Sequence, residues 1–247
     1  MHVRSSQAIS ASLVLLWLMP TPHVAAGTFL TRQLRAPRVS AALQAQAVQL
    51  RAAFDEAQAD WPPRDLLLRG FKHEGVLEVW AGAAQGRHRV RIWALPICAR
   101  SGVLGPKRRE GDGQIPEGLY RIQRFNPRSA FHLSLGLNYP TAVDHARAGE
   151  GDPGSDIYIH GGCVSIGCLA IEDAPMERLY LAAVMARDRG QRGLPVHLFP
   201  CRFGEAACDA QLSERSGVDP DTIALWRSLR AEHDAFEGDR ETAPASR

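Results

Sequence analysis

The chain has 247 residues, of which 45% are hydrophobic and 23% are charged, and its formal net charge is +2 at pH 7. This length is sufficient for one domain with a hydrophobic core and additional segments at its ends. The nearly balanced charge, without a basic surface interleaved with aromatic residues, gives no indication of nucleic-acid binding.

Residues 1–26 have the pattern of a secretory signal peptide. Arg4 supplies a positive charge, Ala8 to Met19 forms an apolar core, and Val24 to Ala26 provides small residues at a cleavage point. The apolar run is too short to cross a bilayer as a helix. We therefore expect a protein exported to the periplasm through a cleaved signal peptide, with no membrane span after the signal is removed.

Residues 27–63 form an N-terminal segment that is predicted to be helical. Between Ala36 and Gln58, apolar residues recur at helical spacing, namely Val39, Leu43, Ala47, Leu50 and Phe54. The paired prolines Pro62 and Pro63 end this pattern. The simplest interpretation is a packing or linker helix.

From residue 65 onward the apolar pattern becomes typical of strands, with turn residues between short apolar runs. The predicted strands occupy 66–68, 76–80, 90–95, 119–122, 157–159 and 195–199. Together they indicate a mainly β core with flanking helices over residues 64–200.

Two segments between these strands are rich in loop-forming residues. The segment 101–118 is dense in Gly, Pro and charge, but it lacks the GxxxxGK[ST] pattern of a phosphate-binding loop. The segment 126–152 is also predicted to be a loop. It contains His132, which we interpret as a structural or pocket-wall residue rather than a second base.

Two helices are predicted in the C-terminal part. One spans Ile171 to Arg189 with Asp173 as its N-cap, and its positive end would lower the pKa of a thiol that lies beside it. The other spans Pro220 to Phe236 within an extension of residues 201–247. The polar tail after Gly238 is expected to be disordered.

The densest group of reactive side chains lies in IYIHGGCVSIGCLAIED, residues 157–173. A thiol is a good nucleophile as its thiolate, so a reactive cysteine needs a base or a positive dipole nearby. His160 and Cys168 flank a glycine-rich loop that can fold the two side chains together. Gly161, Gly162 and Gly167 let the backbone approach closely, and free N–H groups beside Cys168 can hold a developing oxyanion. The pattern predicts Cys168 as nucleophile and His160 as base.

Other interpretations of the same residues remain open at this point. His160, Cys163 and Cys168 can be zinc ligands, although their spacing is not a usual ligand pattern. Either cysteine can also be a small buried apolar residue or half of a disulfide. Spacing alone does not separate these roles.

The same segment resembles the active-site motif of the L,D-transpeptidase catalytic-domain family, in which His-Gly is followed by Ser-x-Gly-Cys. Here the motif residues are His160, Gly161, Ser165, Gly167 and Cys168. The pattern HGGCVS-x-GC is similar to the branch of murein transpeptidases and their amidase relatives. The upstream sequence SGVLGPKRREGDGQIPEGLYRI is similar to a second family signature, GPK…EGD…PEG…Y.

This resemblance implies a fold and a set of residue roles. The fold would be the curved β-sandwich of that family, with Cys168 as nucleophile and His160 as proton acceptor and donor. Gly161, Ser165 and Gly167 would form the loop that positions the thiol and the oxyanion. The reaction would need no metal and no organic cofactor. Lys107 or Arg109 would face a carboxylate of the substrate, and His132 would lie in the pocket.

The implied reaction is acyl transfer on peptidoglycan stem peptides through a thioester. Transfer to an amine would form cross-links in cell-wall biogenesis, whereas transfer to water would make the protein a hydrolase or amidase that releases a murein-linked lipoprotein. Ile166 replaces a second His of many members, and Leu169 to Ile171 lacks their Arg, which leaves the acceptor open. A different possibility is a murein-binding module without turnover.

The cysteine count adds a constraint. The chain has five cysteines, so at least one cannot pair within the molecule in an oxidising compartment. A catalytic thiol is the natural unpaired residue. Cys201 and Cys208 would close a short loop, and Cys98 can pair with Cys163, but sequence does not decide the connectivity.

Overall fold

Eight strands form in the part of the chain that a computed structural model describes, residues 28–86, 88–214 and 217–241. The strands are β1 (Leu66–Phe71), β2 (Val76–Gly82), β3 (Arg89–Pro96), β4 (Gly118–Asn126), β5 (Ser134–Leu137), β6 (Tyr158–His160), β7 (Leu169–Ala170) and β8 (Pro195–Phe199). The helices are α1 (Thr28–Leu34), α2 (Pro37–Glu56), α3 (Ala142–Ala148), α4 (Asp173–Asp188), α5 (Ala206–Ser213) and α6 (Pro220–Glu241). The predicted β core with flanking helices is confirmed.

The strands form one sheet in the order β3-β2-β1-β8-β4-β5-β6-β7. Most neighbours are antiparallel, but β1 pairs in parallel with β8, and β6 pairs in parallel with β7. The sheet curls until its two edges meet. The Cys98 N–H donates to the Ala170 carbonyl at 2.9 Å, and Ala99 forms a β-bridge with Ala170. This closure brings the segment after β3 next to the residues that follow β6.

Strand β1 is buried on both faces because helices cover both sides of the sheet there. Leu66 and Leu68 point into the main core, which also contains the buried residues of α2 and α4. Phe71, on the opposite face, packs in a second cluster with Phe199 and with Leu229 of α6. Side chains alternate between the faces of a strand, so a run such as LLLRGF, apolar except for Arg69, is typical of a strand covered on both sides.

The predicted helices are present, with two corrections. In α4 the N-cap residue is Glu172, so the prediction of Asp173 as N-cap was wrong. The Asp173 carboxylate instead accepts a hydrogen bond from the Gly162 N–H at 2.8 Å. Helix α6 continues past Phe236 to Glu241. The predicted signal peptide and residues 242–247 of the predicted polar tail lie outside the described residues.

The segment 126–152 was predicted to be a loop. It also contains the short elements β5 and α3. Strand β5 is four residues long and is held by pairing with β4 and with β6, which follows in the chain only after α3. Helix α3 has a reciprocal cap in which Thr141 and Asp144 bond to each other's backbone N–H. Both elements are too short to give a clear periodic signal. Within the described residues, no helix is long and apolar enough to cross a bilayer.

Candidate active site

The parallel pairing of β6 with β7 brings the two predicted catalytic residues onto one face of the sheet. Ile159 is paired with Leu169, and His160 with Ala170, so continuing the register by one residue sets Cys168 opposite Tyr158. Ile159 and Leu169 point into the core. The side chains of Tyr158, His160 and Cys168 therefore share the opposite face. Strand pairing, rather than loop flexibility, produces this juxtaposition.

The Cys168 thiol is partly buried and has two backbone partners. Its Sγ lies 3.4 Å from the Tyr158 nitrogen, which donates to it, and 3.6 Å from the Asp156 carbonyl oxygen, to which the thiol donates. Burial raises the pKa of the thiol, and the charge of Asp156 raises it further. The Tyr158 N–H and the charge of Lys107 lower the pKa, but the net shift is upward. In the resting state the sulfur is therefore protonated near neutral pH.

His160 is held by its own loop. Its Nδ1 lies 2.7 Å from the Gly161 carbonyl oxygen, and its ring packs on that of Phe131 with 4.9 Å between centroids. A carbonyl oxygen can only accept, so we assign the imidazole proton to Nδ1. The lone pair is then on Nε2, which is the nitrogen that can act as a base.

The loop between β6 and β7 is fixed by side-chain hydroxyl groups. The Cys168 N–H donates to the Ser165 Oγ at 3.0 Å, and the Ser165 hydroxyl donates to the Cys168 carbonyl at 2.7 Å. The Gly167 N–H donates to the Ser101 Oγ at 2.7 Å, and the Gly161 N–H donates to the Leu133 carbonyl. The N–H groups of Gly161, Gly167 and Cys168, expected to be free for an oxyanion, are thus occupied in this state.

Position 167 requires glycine for two reasons. Its φ is +90°, a conformation that side chains rarely adopt. A Cβ at this position would also lie 3.1 Å from the Gln114 carbonyl oxygen. The close approach lets the segment 101–117 pack directly against the residue that precedes Cys168.

The sequence predicted that the N-terminus of α4 lowers the pKa of the thiol, and the structure shows a different role. The helix begins at Asp173, whose carboxylate binds the Gly162 N–H at the other end of the loop. The pKa of Cys168 is raised by burial instead of lowered by a helix dipole. The helix therefore anchors the loop after His160 rather than activating the sulfur.

The other cysteines are paired. Cys98 is bonded to Cys163, and Cys201 to Cys208, with Cα–Cα distances of 5.4 and 5.5 Å. Cys168 is the free cysteine. Because the Cys163 sulfur is bonded to Cys98, it cannot serve as a thiolate ligand, and the three-ligand zinc site is excluded.

The three predicted substrate contacts lie in different surroundings. Lys107 is buried, and its Nζ lies 2.6 Å from the Asp112 carboxylate and 2.8 Å from the Arg109 carbonyl. The Arg109 side chain lines an open groove of ≈ 500 Å³ together with Arg147 and Gln114. Lys107 is not among the residues that line this groove.

His132 lies between α4 and the loop that follows β6. Its Nε2 is 2.9 Å from the Glu177 carboxylate of α4, and its carbonyl accepts from Arg38 of α2. Its φ is +62°, and a Cβ at Gly161 would lie 2.8 Å from its own Cβ. Through these contacts His132 connects α2 and α4 to the loop at Gly161, which is a structural role.

Sequence reasoning did not identify three residues that contact the site. Asp156 and Tyr158 hold the thiol, and Ser101 holds Gly167. Asp156 adopts φ +58° and forms an ion pair with Arg124 at 2.8 Å. Their roles depend on pairing between distant strands, and no local pattern signals them.

Comparisons with known proteins identify the family of the chain. A family model for the L,D-transpeptidase catalytic domain (YkuD) matches residues 75–196. The chain is 31% identical over 178 residues to YafK of Escherichia coli (strain K12), whose name places it among the L,D-transpeptidases, and the match covers 71% of this chain and 68% of YafK.

Solved structures give more distant similarities. The helical cell shape determining protein Pgp2 of Campylobacter jejuni has a TM-score of 0.44 and 16% identity, covering 78% of this chain and 77% of that one. L,D-transpeptidase 1 of Mycobacterium tuberculosis has a TM-score of 0.31 and 14% identity, covering 54% and 61%. On the family match and the identity to YafK, the chain belongs to the L,D-transpeptidase catalytic-domain family.

Proposed function

We propose that this protein is an exported cysteine acyltransferase that acts on peptidoglycan stem peptides through a thioester on Cys168. One observation carries the proposal. Cys168 is the free cysteine, and the strand register sets it on the same sheet face as His160, whose Nε2 carries the lone pair. Residues 64–200 would be the catalytic domain, preceded by the signal peptide 1–26 and the helical segment 27–63 and followed by the extension 201–247.

The first step transfers a proton as well as an acyl group. Since the pKa of Cys168 is raised, the resting group is a thiol, and His160 accepts its proton as Sγ attacks the carbonyl at the L-centre of the diamino acid. The carbon–nitrogen bond then breaks, and His160 returns the proton to the leaving amine. An amine acceptor attacks the thioester to form a cross-link and regenerates the thiol.

The tetrahedral intermediate carries a negative oxygen that needs donors. We assign it to the loop 161–168, where the Gly167 and Cys168 N–H groups bind serine hydroxyls at rest. The oxyanion would replace one of these hydroxyls as acceptor when substrate binds. Ser165 and Gly161 would position the loop.

The groove beside the site suits an acidic peptide. Arg109 and Arg147 line it, and neither forms an ion pair with a described carboxylate. Gln114 lines the groove, and its carbonyl oxygen would lie 3.1 Å from a Cβ added at Gly167, the residue before Cys168. A guanidinium binds a carboxylate through two parallel hydrogen bonds. Lys107, engaged by Asp112, would act on the thiol through its charge instead.

The test uses purified protein, defined muropeptides and mass spectrometry, with Cys168→Ala as the matched control. A thioester adduct on Cys168 with new cross-links identifies a transferase. Loss of a terminal residue or of a lipoprotein-derived Lys, without cross-links, identifies a hydrolase with the same acyl-enzyme. Binding with neither adduct nor product, or equal turnover by the Ala variant, would overturn the proposal and favour a binding module.

A further inference from the structure

Helix α6 lies outside the residues matched by the family model, yet it contacts the active-site surroundings. It covers the outer face of the sheet at β1 and β8, where Leu225, Trp226 and Leu229 are buried. Packing alone would make it a stabilising appendage. Two polar contacts from its N-terminal half indicate a more specific role.

These contacts reach residues 101–117, which we name the rim loop. The rim loop holds the residue before Cys168. The Ser101 hydroxyl donates to the Gly113 carbonyl at 2.7 Å and accepts from the Gly167 N–H at 2.7 Å. The Gln114 carbonyl packs on the Cα of Gly167, where a side chain would clash. A shift of the rim loop therefore shifts the backbone at Gly167.

The rim loop is itself organised around one buried carboxylate, Glu117. Its Oε1 accepts from the Gly105 N–H at 2.7 Å and lies 3.0 Å from the Lys72 Nζ. Lys72 also donates to the carbonyls of Val103 and Ile115. Lys72 thus holds the parts of the rim loop around Val103 and around Ile115 close to the Glu117 carboxylate.

The second oxygen of this carboxylate is bound by α6. The Trp226 Nε1–H donates to the Glu117 Oε2 at 2.7 Å, and both side chains are buried. A buried carboxylate oxygen that loses its donor is destabilised, because no water replaces it. The position of Glu117 therefore depends on the helix.

A second contact joins the start of α6 to the same loop. The Arg108 guanidinium lies 2.7 Å from the Asp219 carboxylate and 3.0 Å from the Thr222 hydroxyl. Asp219 also accepts from the Thr222 N–H at 3.1 Å, which caps the helix. The helix N-terminus and its first turns thus hold the rim loop at two points.

We propose that α6 is a positioning element of the active site, with Trp226 and Asp219 as positioning residues that act through the rim loop on Gly167 and Cys168. The part of this inference that concerns substrate turnover rests on the function proposed above. The reactivity of Cys168 and the order of the rim loop do not, so they test the inference separately.

The main variant is Trp226→Phe, which keeps an aromatic ring and removes the donor. Three measurements follow: kcat and KM on a muropeptide, the rate of Cys168 alkylation by iodoacetamide, and hydrogen exchange of residues 101–117. We expect kcat to fall about tenfold, which corresponds to about 1.4 kcal/mol of lost transition-state stabilisation, with a smaller change in KM. Exchange in the rim loop and alkylation should both become faster, because a loosened rim loop exposes the sulfur.

Arg230→Gln is the matched control. It breaks the 2.7 Å ion pair between α6 and Asp209 of α5 without contacting the rim loop, so all three measurements should match wild type. If Trp226→Phe folds poorly, Asp219→Asn carries the test with the same directions and smaller changes.

The inference fails if Trp226→Phe and Arg230→Gln behave alike, or if rim-loop exchange rises while Cys168 alkylation and kcat stay unchanged. If wild type has no turnover but the alkylation and exchange results hold, the proposed function fails and the positioning role stands.

Discussion

At the residue scale, the reactivity of the site depends on how one sulfur is surrounded. Cys168 is partly buried and lies between a negative charge, Asp156, and a positive one, Lys107, which shift its pKa in opposite directions. Burial dominates, so the pKa is raised. The thiol is therefore slow toward alkylating reagents at neutral pH, and its reactivity should increase as the pH rises through the raised pKa.

Replacing Asp156 with Asn should lower the pKa of Cys168, because the carboxylate charge that favours the protonated thiol is removed. Asn tolerates the φ of +58° at this position. The pH profile of iodoacetamide alkylation, read by mass spectrometry, should move to lower pH. Glu150→Gln, an exposed carboxylate, is the control and should not move it. An alkylation profile of Asp156→Asn that stays in place or moves to higher pH would contradict the prediction.

Replacing Gly167 with Ala should lower activity strongly. The left-handed backbone alone costs about 1–2 kcal/mol for a non-glycine residue, and the added Cβ would press on the Gln114 carbonyl at 3.1 Å. Gly162→Ala is the matched comparison, since φ there is +74° but nothing lies within 4 Å of the added Cβ. Muropeptide turnover should fall much further for position 167. Equal losses would mean that the contact with the rim loop is unimportant.

At the element scale, the loop between β6 and β7 is anchored from several directions. α4 holds Gly162, the rim loop holds Gly167, and a disulfide joins Cys163 to Cys98 after β3. The disulfide therefore connects the loop of the candidate site to the point where the curled sheet closes. The second disulfide, in contrast, joins Cys201, just after β8, to Cys208 in the first turn of α5.

Removing the Cys98–Cys163 bond should destabilise the fold more than removing Cys201–Cys208. The two bonds span sequence separations of 65 and 7 residues. The chain-entropy model gives a difference of about 2 kcal/mol for such loops. Urea unfolding of the two double-Ser variants, each made in a Cys168→Ala background to prevent thiol exchange, measures this. A larger loss for the shorter loop would contradict the entropic account.

At the scale of the whole molecule, α6 covers a buried charge on the outer face of the sheet. The Arg69 side chain on β1 is fully buried, lies 2.6 Å from the Glu237 carboxylate, and has its guanidinium 4.0 Å from the Phe236 ring centroid. Its Nε and Nη2 have no hydrogen-bond partner among the residues that the structure describes. Such a charge is tolerated only while its remaining partners stay in place.

Glu237→Gln should therefore reduce the free energy of unfolding at pH 7 by about 1.5–3 kcal/mol, the range for a hydrogen bond to a charged group. Burial opposes ionisation of Glu237, but the hydrogen bond and charge of Arg69 outweigh it, so its pKa is lowered. The stabilisation is present above the unfolded-state pKa and is lost as pH falls through the lowered one. The difference in the free energy of unfolding between wild type and Glu237→Gln should therefore become smaller in acid.

Glu232→Gln is the control for this experiment. Its carboxylate lies 3.7 Å from His197, but burial lowers the pKa of His197 to about 4, so that imidazole is neutral at pH 7. Urea unfolding at pH 7 should show little change. If the difference in the free energy of unfolding between wild type and Glu237→Gln stays the same or grows in acid, the ion pair with Arg69 is not the cause of that difference.

The sequence indicated most strands and the long helices, because their apolar runs are long enough to show a period. The short elements β5, β7 and α3 were missed, since four, two and seven residues show no clear period and pairing or capping holds them. In the site, the motif identified His160 and Cys168 because their residue types carry the chemistry. Asp156, Tyr158 and Ser101 could not be identified, because their contacts join separate segments.

By itself, the sequence determined the family and the β core and predicted His160 and Cys168 as the candidate catalytic pair, because these depend on residue type and local order. The tertiary structure decided which cysteines pair, which sign the pKa shift of the thiol takes, and which helix supports the rim loop. Those outcomes depend on burial and on distances between residues far apart in the chain. Local patterns do not contain that information, since it exists only once the sheet has curled closed.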